Sequence, residues 1–202
     1  TAYEIKECDW SSDVCSSDLK VPGMRVLAPS SAEELQVMLH DAIALADEGP
    51  VAIRWPRGTA HHVTEHEVGS GLLARREREG DGSVAILAVG KLVVDAQRAA
   101  DRLAEQGVRA TVWDVRSCQP LDPAMIADAA RHRAVVTCED GIRDGGIGMS
   151  IADAVHDLSA TLPVRVLGLP ARFIPQGSAD RILSSLGLDA DGIAAAARRA
   201  LG

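Results

Sequence analysis

Val84, Ala85, Ile86, Leu87, Ala88 and Val89 follow one another without a polar side chain, and the run stops at Gly90. A strand with one wet face alternates apolar and polar residues. An unbroken apolar run closed by glycine instead marks a strand covered on both faces, the situation of a parallel sheet between layers of helix. The next residues keep that promise, because Val93, Ala96, Ala100 and Leu103 recur at helical spacing and residues 108–115 are strand-like again. The unit then repeats. Asp122 before Pro123 supplies an N-cap and a first-turn proline for a helix that turns Met125, Ile126, Ala129 and Ala130 inward. Residues 134–138 form a third strand, and Gly145, Gly146 and Gly148 open a helix carrying Ile151, Val155 and Leu158. Residues 164–169 form a fourth strand, and Ser178 and Asp189 cap two closing helices. Alternation of this kind predicts an α/β fold over residues 83–202, a three-layer, mostly parallel sheet.

The same grammar appears once more near the start. Residues 24–28 are strand-like. Pro29, Ser30 and Ser31 open a helix, with Glu33 or Glu34 placed to close a capping box. Leu35, Met38, Leu39, Ala42, Ile43 and Ala46 make its apolar stripe, and Gly49 with Pro50 ends it before a buried strand at 51–53. Strand, helix and strand form one βαβ unit with a right-handed crossover. One such unit cannot bury both faces of its sheet, so residues 20–58 are expected to end a domain that begins upstream. Residues 59–82, polar and rich in glycine, read as a linker, with a short edge strand at 71–75. Residues 1–19 have no hydrophobic period, hold Cys8 and Cys15, and repeat Ser-Ser-Asp. They resemble a translated sequencing adapter and are expected to lie outside the fold as a disordered or non-native tail. The chain is therefore expected to be the tail of a longer protein.

Composition excludes several classes of function. Of 202 residues, 47% are hydrophobic and 25% charged, which is a globular balance. A net charge of −8 and a single Phe, a single Tyr and three Trp argue against nucleic acid, which needs a basic face or stacking platforms. No apolar run approaches the roughly 18 residues of a membrane span. Cys8, Cys15, Cys118 and Cys138 show no C-x-x-C spacing, so no zinc knuckle or redox pair is expected, and unpaired thiols fit a cytoplasmic location.

The stretch with most chemistry is Gly49 to Gly58, where the strand at 51–53 runs into Arg54 and Arg57, with Pro56 and Gly58 ending it. Arginines at a strand end stand where α/β sheets receive ligands, and the guanidinium fork suits phosphate or carboxylate. The plainer reading is that an arginine there pairs with a nearby acid. His61, His62 and His66 lack the spacing of a metal site, so no metal ligand is expected among them. Glu139 and Asp140 before Gly145, Gly146 and Gly148 are the most site-like residues of the second region. Glycines at a helix start can receive an anion, but neighbouring acids repel one, and close backbone packing is the better use of these glycines. Cys118 and Cys138 read as core thiols.

Residues 22–29, the stretch from Gly49 to Gly58, Glu139 with Gly145, Gly146 and Gly148, and above all Gly168, Leu169, Pro170, Phe173, Ile174 and Gly177 followed by Leu186, Gly187, Leu188 and Asp189 resemble the C-terminal third of the 1-deoxy-D-xylulose-5-phosphate synthase family. The likeness covers residues 20–202, and its early motifs are shared with transketolases and 2-oxoacid dehydrogenase β subunits. It implies that residues 20–58 end a pyrimidine-binding domain, and that 83–202 are a transketolase C-terminal domain. It implies an enzyme that uses thiamine diphosphate and Mg²⁺ to condense pyruvate with glyceraldehyde 3-phosphate, losing CO2, for isoprenoid, thiamine and pyridoxal precursors. It implies a homodimer. The family's phosphate-gripping arginine matches Arg57, with Arg54 its neighbour. Its metal motif, activating Glu and proton-handling residues match nothing after Lys20, so this chain alone is expected to be inactive. The alternatives are another thiamine-dependent branch, such as a transketolase or dehydrogenase subunit, and a non-catalytic α/β dimerisation module.

Overall fold

A computed structural model describes residues 18–55 and 59–202. Two sheets form. The five-stranded one comprises β3 (Arg75–Arg78), β4 (Val84–Ala88), β5 (Thr111–Asp114), β7 (Ala134–Ile142) and β8 (Val164–Leu169), in the order β3-β5-β4-β7-β8. All its pairings are parallel except that of the edge strand β3 with β5. The three-stranded one comprises β1 (Arg25–Leu27), β2 (Val51–Ile53) and β6 (Ser117–Gln119), in the order β2-β1-β6. There β1 runs parallel to β2 and antiparallel to β6.

The apolar run dictates the layers. Side chains alternate across a strand, so Val84, Ile86 and Ala88 face one core, with α2 (Leu92–Ala104) and α6 (Ala190–Leu201) packed over them. Ala85, Leu87 and Val89 face the other, covered by α3 (Pro123–Ala129) and α4 (Ile147–Leu158). Every residue of β4 is buried. Val26 and Ala28 of the first region join this second core, so the small sheet shares apolar packing with the large one. A short helix, α5 (Ala179–Ser185), follows the loop after β8. The caps hold where they were expected at Asp122, whose side chain accepts from the Ala124 N–H, and at Asp189, which accepts from Gly192. Ser178 stands at the N-cap position of α5 without a capping bond.

Several expectations need correcting. Ser31 caps α1 (Ala32–Leu45) by accepting from the Glu34 N–H, but Glu33 and Glu34 turn their carboxylates elsewhere. Glu33 takes the Val63 N–H and His62, and Glu34 takes the Gly69 N–H and Arg116. A reciprocal capping box instead closes the 3₁₀ turn Glu65–Glu67, between Thr64 and Glu67. The α1 stripe is only half used, since Met38 and Ala42 are buried while Leu39 and Ile43 are exposed. Strand β2 is half-buried, being the rim of its sheet. The edge strand lies at 75–78, inside the stretch read as a linker, and β6 had no signal in the sequence pattern. The expectation for residues 1–19 falls almost wholly on residues 1–17, outside those described. Among the described residues no helix is long and apolar enough to cross a membrane.

Candidate functional site

The carboxyl ends of β1, β2, β4, β7 and β8 open toward one cleft between the sheets. Crevices at the carboxyl ends of parallel strands are where open α/β sheets take ligands, and here the connections after β4 and β7 leave for opposite faces. Among the described residues the cleft has two lobes. The larger, about 560 Å³, is lined by residues that include Pro29, Ser30, Trp55, Thr59, His61 and Lys91. The smaller, about 400 Å³, lies beneath the loop after β8 and includes Lys91, Asp140, Leu169, Ile174 and Gln176. Lys91 and Ala179 line both.

An ionic cluster sits at the junction. Arg54 leaves β2 with its backbone N–H bonded to Leu27 O and its side chain turned inward to Asp140, 2.7 Å away; the two side chains are 7% and 8% exposed. Lys91, 31% exposed, takes the other oxygen of Asp140 at 3.1 Å. Arg54 thus pairs with an acid of the other sheet, while Arg57, the other residue expected at a phosphate, lies outside the described residues. Asp140 was legible only as half of a site-like acidic pair. Its partnership with Arg54 joins residues 86 apart in sequence, which no local pattern encodes, and Lys91 gave no signal beyond following Gly90.

Glu139 resolves what the glycine-rich turn does. Its Oε1 accepts from the Gly148 N–H at 2.8 Å, so the positive N-terminus of α4 is filled by the protein's own carboxylate. A Cβ on Gly146 would run into Ile142 O, and one on Gly148 would come within 2.5 Å of Thr137 Oγ1 and 2.8 Å of Val166 Cγ1. These glycines therefore serve close packing. Burial pushes the Glu139 carboxyl up to about 7, against the pull of the α4 N–H groups and of Arg54. Its Oε2 is buried without a hydrogen-bond partner.

A second buried cluster ties α1 to the large sheet. Arg116, between β5 and β6, is fully buried at φ 54°, a left-handed conformation unusual for a non-glycine residue. Its Nε donates to Glu34 at 2.8 Å, and its Nη1 donates to the carbonyls of Ser70, Gly71 and Leu73. Beside it the buried Asp114 accepts from the Ser30 hydroxyl at 2.5 Å and from the Arg116 N–H. Desolvation pushes this carboxyl up to about 7. Cys118 and Cys138 are buried, as the sequence suggested, and burial pushes the Cys138 thiol up. Among the described residues no group of three His, Cys, Asp or Glu side chains is placed to hold a metal ion. His62 pairs instead with Glu33, whose carboxyl is held down at about 2 by that contact and by the Val63 N–H.

Known proteins place this geometry. The profile described as "Transketolase, C-terminal domain" matches residues 73–193, from just before β3 into α6. The chain belongs to the transketolase C-terminal domain family. Within it, the chain is similar to proteins named 1-deoxy-D-xylulose-5-phosphate synthase. It is 37% identical to that of Thermobifida fusca (strain YX) over 86% of this chain and 28% of the relative. It is 42% identical to that of Anaeromyxobacter sp. (strain K) over 90% and 30%. Synthase 1 of Geobacter sulfurreducens is 40% identical over 87% and 28%. The chain thus spans about three tenths of the length of these curated relatives. A solved structure titled "Split gene transketolase, inactive beta4 tetramer" superposes with a TM-score of 0.80 at 28% identity, covering 93% of this chain and 60% of that one.

Proposed function

We propose that this chain is the C-terminal part of a 1-deoxy-D-xylulose-5-phosphate synthase, a transferase that condenses pyruvate with glyceraldehyde 3-phosphate and releases CO2, supplying isoprenoid, thiamine and pyridoxal precursors. The observation that carries the proposal is identity of 36–42% with synthases over some nine tenths of the chain. In this reading residues 20–58 end the pyrimidine-binding domain, 59–82 connect, and 83–202 form the C-terminal domain of a cytoplasmic homodimer.

Thiamine diphosphate, with Mg²⁺, would supply the carbanion chemistry in such an enzyme. The described residues do not fit the cofactor's diphosphate and metal: they offer no metal-binding group of three acids, histidines or cysteines, and the glycine-rich helix start is filled by Glu139. We infer that the cofactor is held by other segments of the full-length protein and that the 202-residue chain alone is inactive. Arg57 is the residue proposed to grip the phosphate of glyceraldehyde 3-phosphate. Its support is its place after the carboxyl end of β2, three residues beyond an Arg54 anchored to Asp140. A guanidinium fork can hold two phosphate oxygens at once.

The structural likeness to a split-gene transketolase favours a rival, transfer between sugar phosphates without decarboxylation. A chimera of the Thermobifida fusca synthase, with its matching segment replaced by residues 20–202, decides between them. The expected result is CO2 release from pyruvate that depends on glyceraldehyde 3-phosphate, with none from the 202-residue chain alone. A folded, cofactor-binding chimera that instead moves a two-carbon unit from a ketose phosphate without releasing CO2 overturns the synthase reading.

A further inference from the structure

Two cations meet one carboxylate at the junction of the lobes: Arg54 and Lys91 share Asp140, while the neighbouring Glu139 is already compensated by the N-terminus of α4. The two cations that share Asp140 differ in freedom. Arg54 is enclosed. Lys91 is nearly a third exposed, stands on a flexible stem, and lines both lobes. A Lys ammonium is a compact point charge that can turn from one acceptor to another by rotation of its stem. The larger lobe has the volume of an ordinary small-molecule pocket, with Ser31, Thr59 and the half-exposed Trp55 among the residues on its walls. Asp180, also on its wall, is the one carboxylate among the described residues that line that lobe and disfavours ligands carrying several charges.

We propose that Lys91 is the binding residue of a small-anion site in this cleft, taking the phosphate or carboxylate of a small metabolite while Arg54 keeps Asp140 neutralised. The site stands on Lys91 and the cleft, and does not require Arg57 or the synthase reaction. A purely structural Lys91 would only pair with Asp140 and respond to no solute.

The test is a titration of the whole 202-residue chain, followed by the Trp55 indole N–H signal in heteronuclear NMR, which Trp55→Phe assigns. Inorganic phosphate and pyruvate are the probes, glycerol is the neutral control, and ionic strength is held constant with sodium chloride because screening alone changes exposed charges. A saturable millimolar shift with at least one anion and none with glycerol is expected. Which anion saturates distinguishes phosphate from carboxylate as the recognised group. Lys91→Met should weaken binding at least tenfold with the spectrum otherwise native, and Lys91→Arg should retain it. Asp140→Asn, which removes the competitor for Lys91, should tighten binding severalfold where it folds; the Lys91 pair decides the matter if it does not. Equal titrations of wild type and Lys91→Met, a response lost only in Arg57→Ala, or no response beyond that to sodium chloride overturns the site.

Discussion

Ile86 and Ile43 are the same residue in two kinds of neighbourhood. Ile86 is fully buried at the middle of the five-stranded sheet; Ile43, on the helix packed against the three-stranded one, is 71% exposed. The difference runs through both regions. In β4 every side chain is buried, and α2 hides each of its expected apolar positions. In the small sheet β2 is half-buried throughout, and α1 leaves Leu39 and Ile43 in solvent. The large sheet is held by apolar burial on two faces. The small one is attached to it through Val26 and Ala28 and through two buried ion pairs, Arg116 with Glu34 and Arg54 with Asp140. Buried pairs add little stability over apolar residues of like size, yet breaking one strands a charge. The small region should therefore be sensitive to single polar changes and, on the outer face of α1, tolerant of apolar ones, the reverse of the large region.

The largest expected effect is at Glu34. Glu34→Ala leaves the guanidinium of Arg116 buried with carbonyl partners but without its hydrogen-bonded carboxylate, and leaves the Gly69 N–H without its acceptor. Removing one partner of a buried pair costs about 3–5 kcal/mol, and urea unfolding of the variant should show a loss of that order. If the loss stays under about 1 kcal/mol, a figure typical of exposed pairs, the ion pair does not hold the regions together.

What could be read beforehand follows the same division. The core of the large sheet was legible because its signals are local: an unbroken apolar run, helical spacing at Val93, Ala96, Ala100 and Leu103, and Asp122 before Pro123. The attachment of the small sheet was not, because its parts lie far apart in sequence. Glu34 meets Arg116 across 82 positions. The spacing of Ser31 and Glu34 imitates a capping box so well that the distant partner leaves no trace. Strand β6 is three residues long and pairs with β1 rather than with a sequence neighbour, so periodicity had too few residues to act on. In the candidate site, Arg54 and Glu139 were legible only as a charge at a strand end and an acid beside a glycine-rich helix start. Their partners come from the tertiary fold.

The second effect is smaller and has the opposite sign. Asp114 is buried where α1 meets the large sheet, with Glu34, Glu77 and Arg116 acting on it and Ser30 donating to it. A carboxyl whose folded pKa is raised to about 7 keeps its proton in the native state over a range where the unfolded chain has lost it. Its contribution is therefore greatest below the usual carboxylate range, falls as pH rises from about 4 to about 7, and stays low above. Asn carries no such charge. Asp114→Asn should match wild type near pH 4 and exceed it by about 2 kcal/mol at pH 8, within a ceiling of roughly 4 kcal/mol set by the size of the shift. Chemical denaturation at both pH values checks this, and because Glu139 titrates in both proteins its effect cancels in the difference. A variant less stable than wild type at pH 8 would mean that the charged carboxylate is needed at this contact.

The smallest effect tests the other half of the comparison, the tolerance of the small region to apolar change. Ile43→Ala removes methyl and methylene groups that already stand mostly in water, so little transfer free energy is lost and no cavity forms. Alanine also favours the helix over a β-branched residue by a few tenths of a kcal/mol, which works in the variant's favour. The net change should lie within about 0.5 kcal/mol of zero. The same truncation at Ile86 leaves a void between the sheet and the layer formed by α2 and α6 and should cost about 2–5 kcal/mol. Urea unfolding of the two variants, measured side by side, compares one residue type in the two settings. A loss above about 1.5 kcal/mol at Ile43, the value of a largely buried side chain, would show that the outer face of α1 is covered in solution. The contrast between the sheets would then lie in what packs on them and not in how they are built.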